Sequence, residues 1–270
     1  MPGIPLPLQR SFAETKRLDN WWLPPAAVFL GLSAFIVYST WAAFQGKNYT
    51  VPGTSYLSPF CSPELFYSPA VYPEGSGHAW FGEVPGWWPG WLPYSPAFLI
   101  LWAPAGFRFT CYYYRGAYYK AFWADPPGCA VGEPRKNYIG ESNWPLRIQN
   151  IHRYFMYIAV LFIFMLTWDA LKSFIFADGI GIGVGTVILW VNVVLLAGYT
   201  FGCHSLRHIL GGRKDCITES PICQSLYAKC SVLNKRHALW AWMSLCSVMF
   251  SDVYIRLCAM GVWHDRHIAF

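Results

Sequence analysis

Residues 152–176 read HRYFMYIAVLFIFMLTWDALKSFIF. From Tyr154 to Trp168 this stretch has no charge, no proline and no glycine. A hydrocarbon layer about 30 Å thick takes roughly 20 helical residues to cross. The segment is therefore read as a transmembrane helix rather than as the core helix of a soluble domain. Its neighbour, residues 182–204 (IGVGTVILWVNVVLLAGYTFGCH), reads the same way.

Working outward, three more apolar stretches have the length of a span: residues 22–44, 91–113 and 237–262. The second is irregular, because Pro96 and Pro104 fall inside it and a kink is expected there. The sequence thus predicts an all-α membrane protein with five transmembrane helices in a bundle. A tail (1–21) precedes the first helix. A long loop (45–90) separates helices one and two, and loops 114–151 and 205–236 separate the later helices.

Composition agrees. The chain is 55% apolar and 13% charged, whereas soluble domains carry about 25% charged residues. Fifteen tryptophans and seventeen tyrosines suit the belts that amphipathic rings form at membrane–water boundaries. The net charge of +6 is a topology signal, since the basic residues flank apolar segments, and nucleic acid is excluded as a partner. With the amino terminus inside, the inner segments hold sixteen basic residues: three in the tail, seven from Arg108 to Arg153 and six from Arg207 to Arg236. The outer side holds four: Lys47, Lys172, Arg256 and Arg266. Lysine and arginine concentrate on the cytoplasmic side, so the amino terminus is cytoplasmic and loop 45–90, rich in Pro, Gly, Tyr and Trp, is an external cap. Arg10, Lys16 and Arg17 without an apolar core read as a cytoplasmic tail, not a cleavable signal. Asp169, Asp252 and Arg256 fall within spans, where charge is costly and turns toward the bundle or the interface.

Chemistry-bearing residues gather at the inner helix ends. His152 opens the third span, His204 and His208 close the fourth, His237 opens the fifth, and Cys111 lies at the inner end of the second. His78, His264 and His267 are scattered outside. Histidine and cysteine are the ligands of haem and iron–sulfur centres, and packed helices can bring them to one point. Cys129 sits on a loop behind Pro126, Pro127 and Gly128, and Cys203 and Cys216 also lie toward this face. In the belt from Cys111 to Lys120, tyrosine hydroxyls and an arginine can hold the two oxygens of a quinone. Arg115, Tyr119 and Tyr113 are the candidates there, and Arg153 lies at the same boundary.

The runs TCYYYRGAYYKAFWADPPGCAVGEP (110–134), PLRIQNIHRYFMY (145–157), YTFGCHSLRHILGG (199–212), NKRHALWAW (234–242) and SDVYIRL (251–257), with DNWWLPPAAVFLGLSAFIVYSTWAAF (19–44), resemble one family. It is the five-helix membrane subunit of succinate dehydrogenase, respiratory complex II, of the actinobacterial type. The resemblance implies a multi-pass protein of the inner (plasma) membrane. A flavoprotein and an iron–sulfur subunit would dock on its cytoplasmic side, and electrons from succinate would pass to a quinone. It further implies a Rieske-type [2Fe–2S] cluster near that face. Two cysteines bind one iron of such a cluster and two histidines the other. Cys111, Cys129, His152 and His237 are the expected ligands, with His204 and His208 as the second choice of histidines. A haem b anchor of the same class of complex is the nearest alternative, followed by a histidine-box di-iron oxidoreductase and a non-redox membrane scaffold.

Overall fold

The computed structural model describes residues 11–72, 79–134, 146–212 and 220–270. His78, Cys216 and the basic residues Arg10, Arg135, Lys136, Arg213 and Lys214 lie outside the described residues. In chain order the helices are α1 (Leu23–Gln45), α2 (Pro96–Ile100), α3 (Trp102–Phe109), α4 (Tyr112–Ala121), α5 (His152–Lys172), α6 (Val184–Phe201), α7 (His204–Gly211), α8 (Pro221–Asn234) and α9 (His237–Ala259). A 3-10 turn, Leu146–Ile151, leads into α5.

Among the described residues, four helices are long and apolar enough to cross a membrane: Leu23–Gln45, Arg147–Lys172, Val184–Phe201 and His237–Ala259. At 1.5 Å per residue the 21 residues of α5 reach about 32 Å, the thickness of the hydrocarbon layer. The stretch expected as a single span over 91–113 is divided. It forms α2 and α3, and α4 starts afresh at Tyr112. Leu101 still donates to Ala97 O (3.0 Å) and Ala105 to Leu101 O (3.0 Å). Pro104 has no N–H to give to Ile100, so the ladder lapses by one rung at the junction.

The boundaries of the other spans also differ from expectation. The third helix ends at Lys172 rather than 176, and the fourth begins at Val184. Between them β1 (Ile175–Phe176) and β2 (Gly179–Gly183) form a hairpin, and β3 (His267–Ala269) adds to β2, all antiparallel. The register pairs Phe176 with Gly179 around the two-residue turn Ala177–Asp178. Gly179 has φ +134°, a conformation that only glycine adopts readily. This small sheet departs from the purely helical expectation. The fourth helix ends at Phe201, so His204 does not close it but opens the separate helix α7. The fifth ends at Ala259.

The chain divides into two compact units. The first contains the described residues of Met1–Ile36 and Arg108–Ile151. Its tail is tied to the loop after α4: Ala13 donates to Gly132 O (3.0 Å), Thr15 to Ala130 O (2.9 Å) and Arg17 to Cys129 O (3.0 Å). Phe29 of α1 packs on Phe122 at 4.9 Å between ring centroids.

The second unit is Val37–Phe107 with His152–Phe270. Here α6 packs on both α5 and α9, and α7 packs on α8. Gly198 explains how closely α6 meets α9, because a Cβ there would lie 2.7 Å from the Trp240 ring. Small residues perform this role in membrane bundles, where lipid supplies no hydrophobic drive between helices. Leu166, Ala170, Leu189, Val193 and Ile255 fill the space between the three helices.

At the Lys172 end of α5, residues 46–72 and 79–95 form a packed cap without helices. Its core joins Tyr49, Phe60, Cys61 and Tyr72 to Ala42 and Ala43 of α1. Three carboxylates take hydroxyls from the cap: Ser58 donates to Asp252, Ser62 to Asp169, and Tyr56 to Asp265 (2.8 Å). Asp252 also accepts from Tyr38 (2.5 Å) and pairs with Arg256 at 3.3 Å. Arg256 in turn donates to Lys47 O (2.9 Å) and lies over the rings of Trp41 and Tyr49. Asp252 and Arg256 therefore turn inward and neutralise each other, while Asp169 is held by a hydroxyl.

Candidate functional site

At the opposite end of the second unit, three helix ends meet. His152 opens α5, Tyr199 lies in the last turn of α6, and His237 opens α9. Their rings build one stack with Phe107. The imidazole of His152 lies flat on Phe107 (4.7 Å, 3°), Phe107 meets the edge of Tyr199 (5.2 Å), and Tyr199 lies flat on His237 (4.9 Å, 19°). The two histidines expected to bind metal are thus drawn into a single aromatic cluster, with His152 buried.

A thiol joins them. Cys203 Sγ is 3.1 Å from His152 Nε2, and Cys203 is 0% exposed. Gly202 stops α6, and Cys203 then acts as the N-cap of α7, its sulfur accepting from Ser205 N–H (3.3 Å). The sequence pattern of a Gly-Cys pair at the end of an apolar run marks this position. The sequence alone points to Cys111 and Cys129 instead.

The second pair of histidines sits differently. His204 and His208 lie on α7 and both are exposed. His208 Nδ1 is 3.3 Å from the exposed Arg153 guanidinium. Of the quinone candidates, Arg153 therefore belongs to this surface.

The other candidates are in the first unit. Cys111 is the N-cap of α4 and is 2% exposed. Tyr114, Arg115 and Tyr118 follow it at the three- and four-residue spacing of one helix face. Arg108 donates to Tyr114 OH (2.9 Å), and Arg115 donates to Gln149 (3.1 Å) while lying over the Tyr112 ring (4.6 Å). Burial pushes the Tyr114 hydroxyl up in spite of Arg108. Tyr113 and Tyr119 flank this face and are half-buried. Cys129 is exposed, and nearby Glu133 is pushed up mainly by its hydrogen bond to Asp125.

Among the described residues, no three His, Cys, Asp or Glu side chains gather closely enough to hold a metal ion. The side chains that do meet are a buried imidazole against a buried thiol, with a second imidazole within the same stack. Imidazole nitrogen and thiolate sulfur are the donors that iron–sulfur centres use.

The chain and its fold have counterparts. A family model described as actinobacterial succinate dehydrogenase subunit SdhC matches residues 23–261. Among solved structures, a chain of the Mycobacterium smegmatis Sdh1 complex in the apo form is similar, with 43% sequence identity, a TM-score of 0.85, and 99% of each chain covered. No curated protein matches. With 239 of its 270 residues inside the family model, the chain belongs to the actinobacterial SdhC family and is a membrane-anchor subunit of succinate dehydrogenase.

Proposed function

We propose that this subunit holds the flavoprotein and iron–sulfur subunits of succinate dehydrogenase on the cytoplasmic side of the plasma membrane and conducts electrons from them toward a quinone. Succinate loses two electrons and two protons to become fumarate, and a quinone gains two of each to become quinol. The observation that carries this reading is the stack Phe107–His152 and Tyr199–His237, with Cys203 against His152, built from three helix ends at one level.

The topology in this reading has five spans with the amino terminus inside. The second span in chain order is α2 with α3, whose 14 residues from Pro96 to Phe109 reach about 21 Å. The loop bearing the cap is external. The split of sixteen basic residues to four supports this orientation.

His152 and His237 are the imidazoles that would hold a Rieske-type [2Fe–2S] group, and Cys203 is the thiol that the second unit brings to them. Cys203 is favoured because it already meets His152 within a buried site. When bound, such a group supplies a one-electron carrier whose potential is raised by its neutral imidazoles. The chain's own residues orient it: Phe107 and Tyr199 clamp the imidazole planes, and burial keeps water away. Arg115 carries a fixed positive charge on α4. It can donate to a quinone oxygen as negative charge develops there, with Tyr113 and Tyr119 beside it as hydroxyl donors. Arg153 has the same role on the histidine surface.

Two imidazoles on separate helices also suit a haem b, the alternative reading. One preparation distinguishes them. The reduced complex should give a Rieske-type electron paramagnetic resonance signal and no haem absorption bands. His152→Ala with His237→Ala should abolish the signal and quinone reduction, while succinate oxidation with an artificial acceptor persists. Haem bands would transfer the histidines to the haem reading, and an unchanged signal in the double variant would remove both residues from the site.

A further inference from the structure

The second unit holds a cavity of about 470 Å³ at the Lys172 end of α5, remote from the histidine stack. Pockets of 300–1,000 Å³ are the usual size for small-ligand sites. Its walls combine two origins. The α5 side provides Trp168, Asp169, Leu171 and Lys172, and the cap provides Glu64 and Thr50.

Three properties restrict what the cavity takes. The first is its depth in the membrane. Trp168, Leu171 and Ile175 line the cavity and are 61%, 48% and 53% exposed. Trp168, Leu171 and Lys172 share one face at the end of α5, and Ile175 opens β1 just beyond it. Exposed apolar residues beside a tryptophan and a lysine at the end of a span mark the headgroup level of a bilayer. The cavity therefore opens toward lipid at the depth where headgroups lie.

The second is its charge. Two carboxylates, Glu64 and Asp169, face one ammonium, Lys172, whose Nζ lies over the Trp168 ring at 5.8 Å. An anionic headgroup would meet two like charges against one opposite charge. A zwitterion whose cation is a hydrogen-bond donor fits both signs. The third is its acceptor chemistry. Asp169 receives one hydroxyl, from Ser62, and a carboxylate accepts several hydrogen bonds. A primary ammonium donates three and a quaternary one none.

From the mixed charges and the lipid-level opening, we infer that this cavity binds the headgroup of phosphatidylethanolamine. The ammonium sits between Glu64 and Asp169, the phosphate at Lys172, and the acyl chains run down the Trp168–Leu171 face of α5. The lipid becomes a strut between the cap and the bundle, outside the electron path. The inference rests on the chain being embedded in a bilayer and on no feature of the redox site.

The test is native mass spectrometry of the whole complex released from nanodiscs containing equal amounts of phosphatidylethanolamine, phosphatidylcholine and phosphatidylglycerol with matched acyl chains. The wild type is expected to keep phosphatidylethanolamine about tenfold over the other two, the worth of one charge-assisted hydrogen bond. Asp169→Asn and Glu64→Gln should each reduce retention about tenfold, to the level of phosphatidylcholine. Lys172→Met should weaken it as well. If Asp169→Asn fails to assemble because it loses Ser62, Glu64→Gln on the cap decides. Equal retention of the three lipids overturns the inference, as does a preference for phosphatidylglycerol or undiminished retention in Glu64→Gln. Displacement of the lipid by a short-chain quinone overturns it too. The readout is lipid mass, so failure here is distinct from failure of the electron-transfer reading.

Discussion

Replacing Asp252 by asparagine tests how the bundle tolerates its buried charges. Asp252 is 0% exposed and Arg256 3% exposed, and they lie one turn apart on α9 at 3.3 Å. The asparagine keeps the shape and one acceptor for Tyr38 or Ser58, but it leaves the guanidinium buried without a counter-charge. Removing one partner of a buried pair costs about 3–5 kcal/mol. Arg256 retains its bond to Lys47 O and the faces of Trp41 and Tyr49, and cation–π contacts of this kind are worth about 0.5–2 kcal/mol each. The loss should therefore fall near the lower end, at about 3 kcal/mol. For a chain of this size 1 kcal/mol corresponds to roughly 2–4 °C, so the detergent-solubilised complex should melt about 6–12 °C lower. The double variant Asp252→Asn with Arg256→Met removes the orphaned charge and should recover a substantial part of that loss. Differential scanning fluorimetry on the complex provides the measurement. If Asp252→Asn melts within 1 °C of the wild type, or the double variant is as unstable as the sum of the singles, the carboxylate does not neutralise Arg256 and the account of the cap is wrong.

Other outcomes follow from single contacts. Gly198→Ala should destabilise the assembled subunit by about 1–3 kcal/mol, because its Cβ would stand 2.7 Å from the Trp240 ring; a thermal shift reads this, and an unchanged Tm refutes the close α6–α9 approach. Cys61 is buried and its thiol is pushed up by that burial, so it holds little thiolate at neutral pH. Maleimide should modify the exposed Cys129 in the native complex and reach Cys61 only after denaturation, even at pH 9; peptide mass mapping checks both. Cys203→Ser should shift or remove the resonance signal of the reduced complex while Cys246→Ser leaves it unchanged. An unshifted signal in Cys203→Ser would take Cys203 out of the metal site.

The apolar spans were legible because length and lack of charge alone specify them, as α5 shows between Tyr154 and Trp168. The 91–113 stretch was legible as apolar but not as a divided helix. Pro104 warned of a kink, and the missing N–H at one position was enough to separate α2 from α3. The hairpin between α5 and α6 went unread because Ile175–Gly183 is apolar enough to continue either helix, and only Gly179 and the pairing with His267–Ala269 favour strand. Hydropathy carries no information on such long-range pairing. At the site, their places at helix starts single out His152 and His237, and the fold puts both on one stack. His204 and His208 looked equivalent by spacing, yet the stop at Gly202 put them on a separate exposed helix. Sequence does not single out Cys203 for the same reason: its burial depends on where the chain turns after α6, a tertiary outcome.

The two ends of the second unit use their charges in opposite ways, and this bears on what the protein is for. At the cap end, Asp252, Asp265 and Asp169 all take partners from the chain itself, and Arg256 is enclosed by Asp252, Lys47 O and two rings. Among the described residues, the exposed charges at that end, Lys47, Glu83, Asp178 and Arg266, lie outside the spans. At the histidine end, Arg153, Lys229, Lys235 and Arg236 are exposed, as are Ile222, Leu226 and Val232 of α8. Exposed apolar side chains interspersed with basic ones on a helix outside the spans are the composition of a contact surface. The buried donors His152 and Cys203 lie under that surface, not under the cap. An anchor that hands electrons across a subunit boundary needs its acceptor groups on the side where the donor docks and a closed opposite end, so that the bundle neither leaks charge nor opens to water. A passive tether has no need for that asymmetry. One buried imidazole–thiol pair beneath a basic and apolar face, with Asp252 and Arg256 paired at the far end, is the arrangement that the proposed conducting anchor would need.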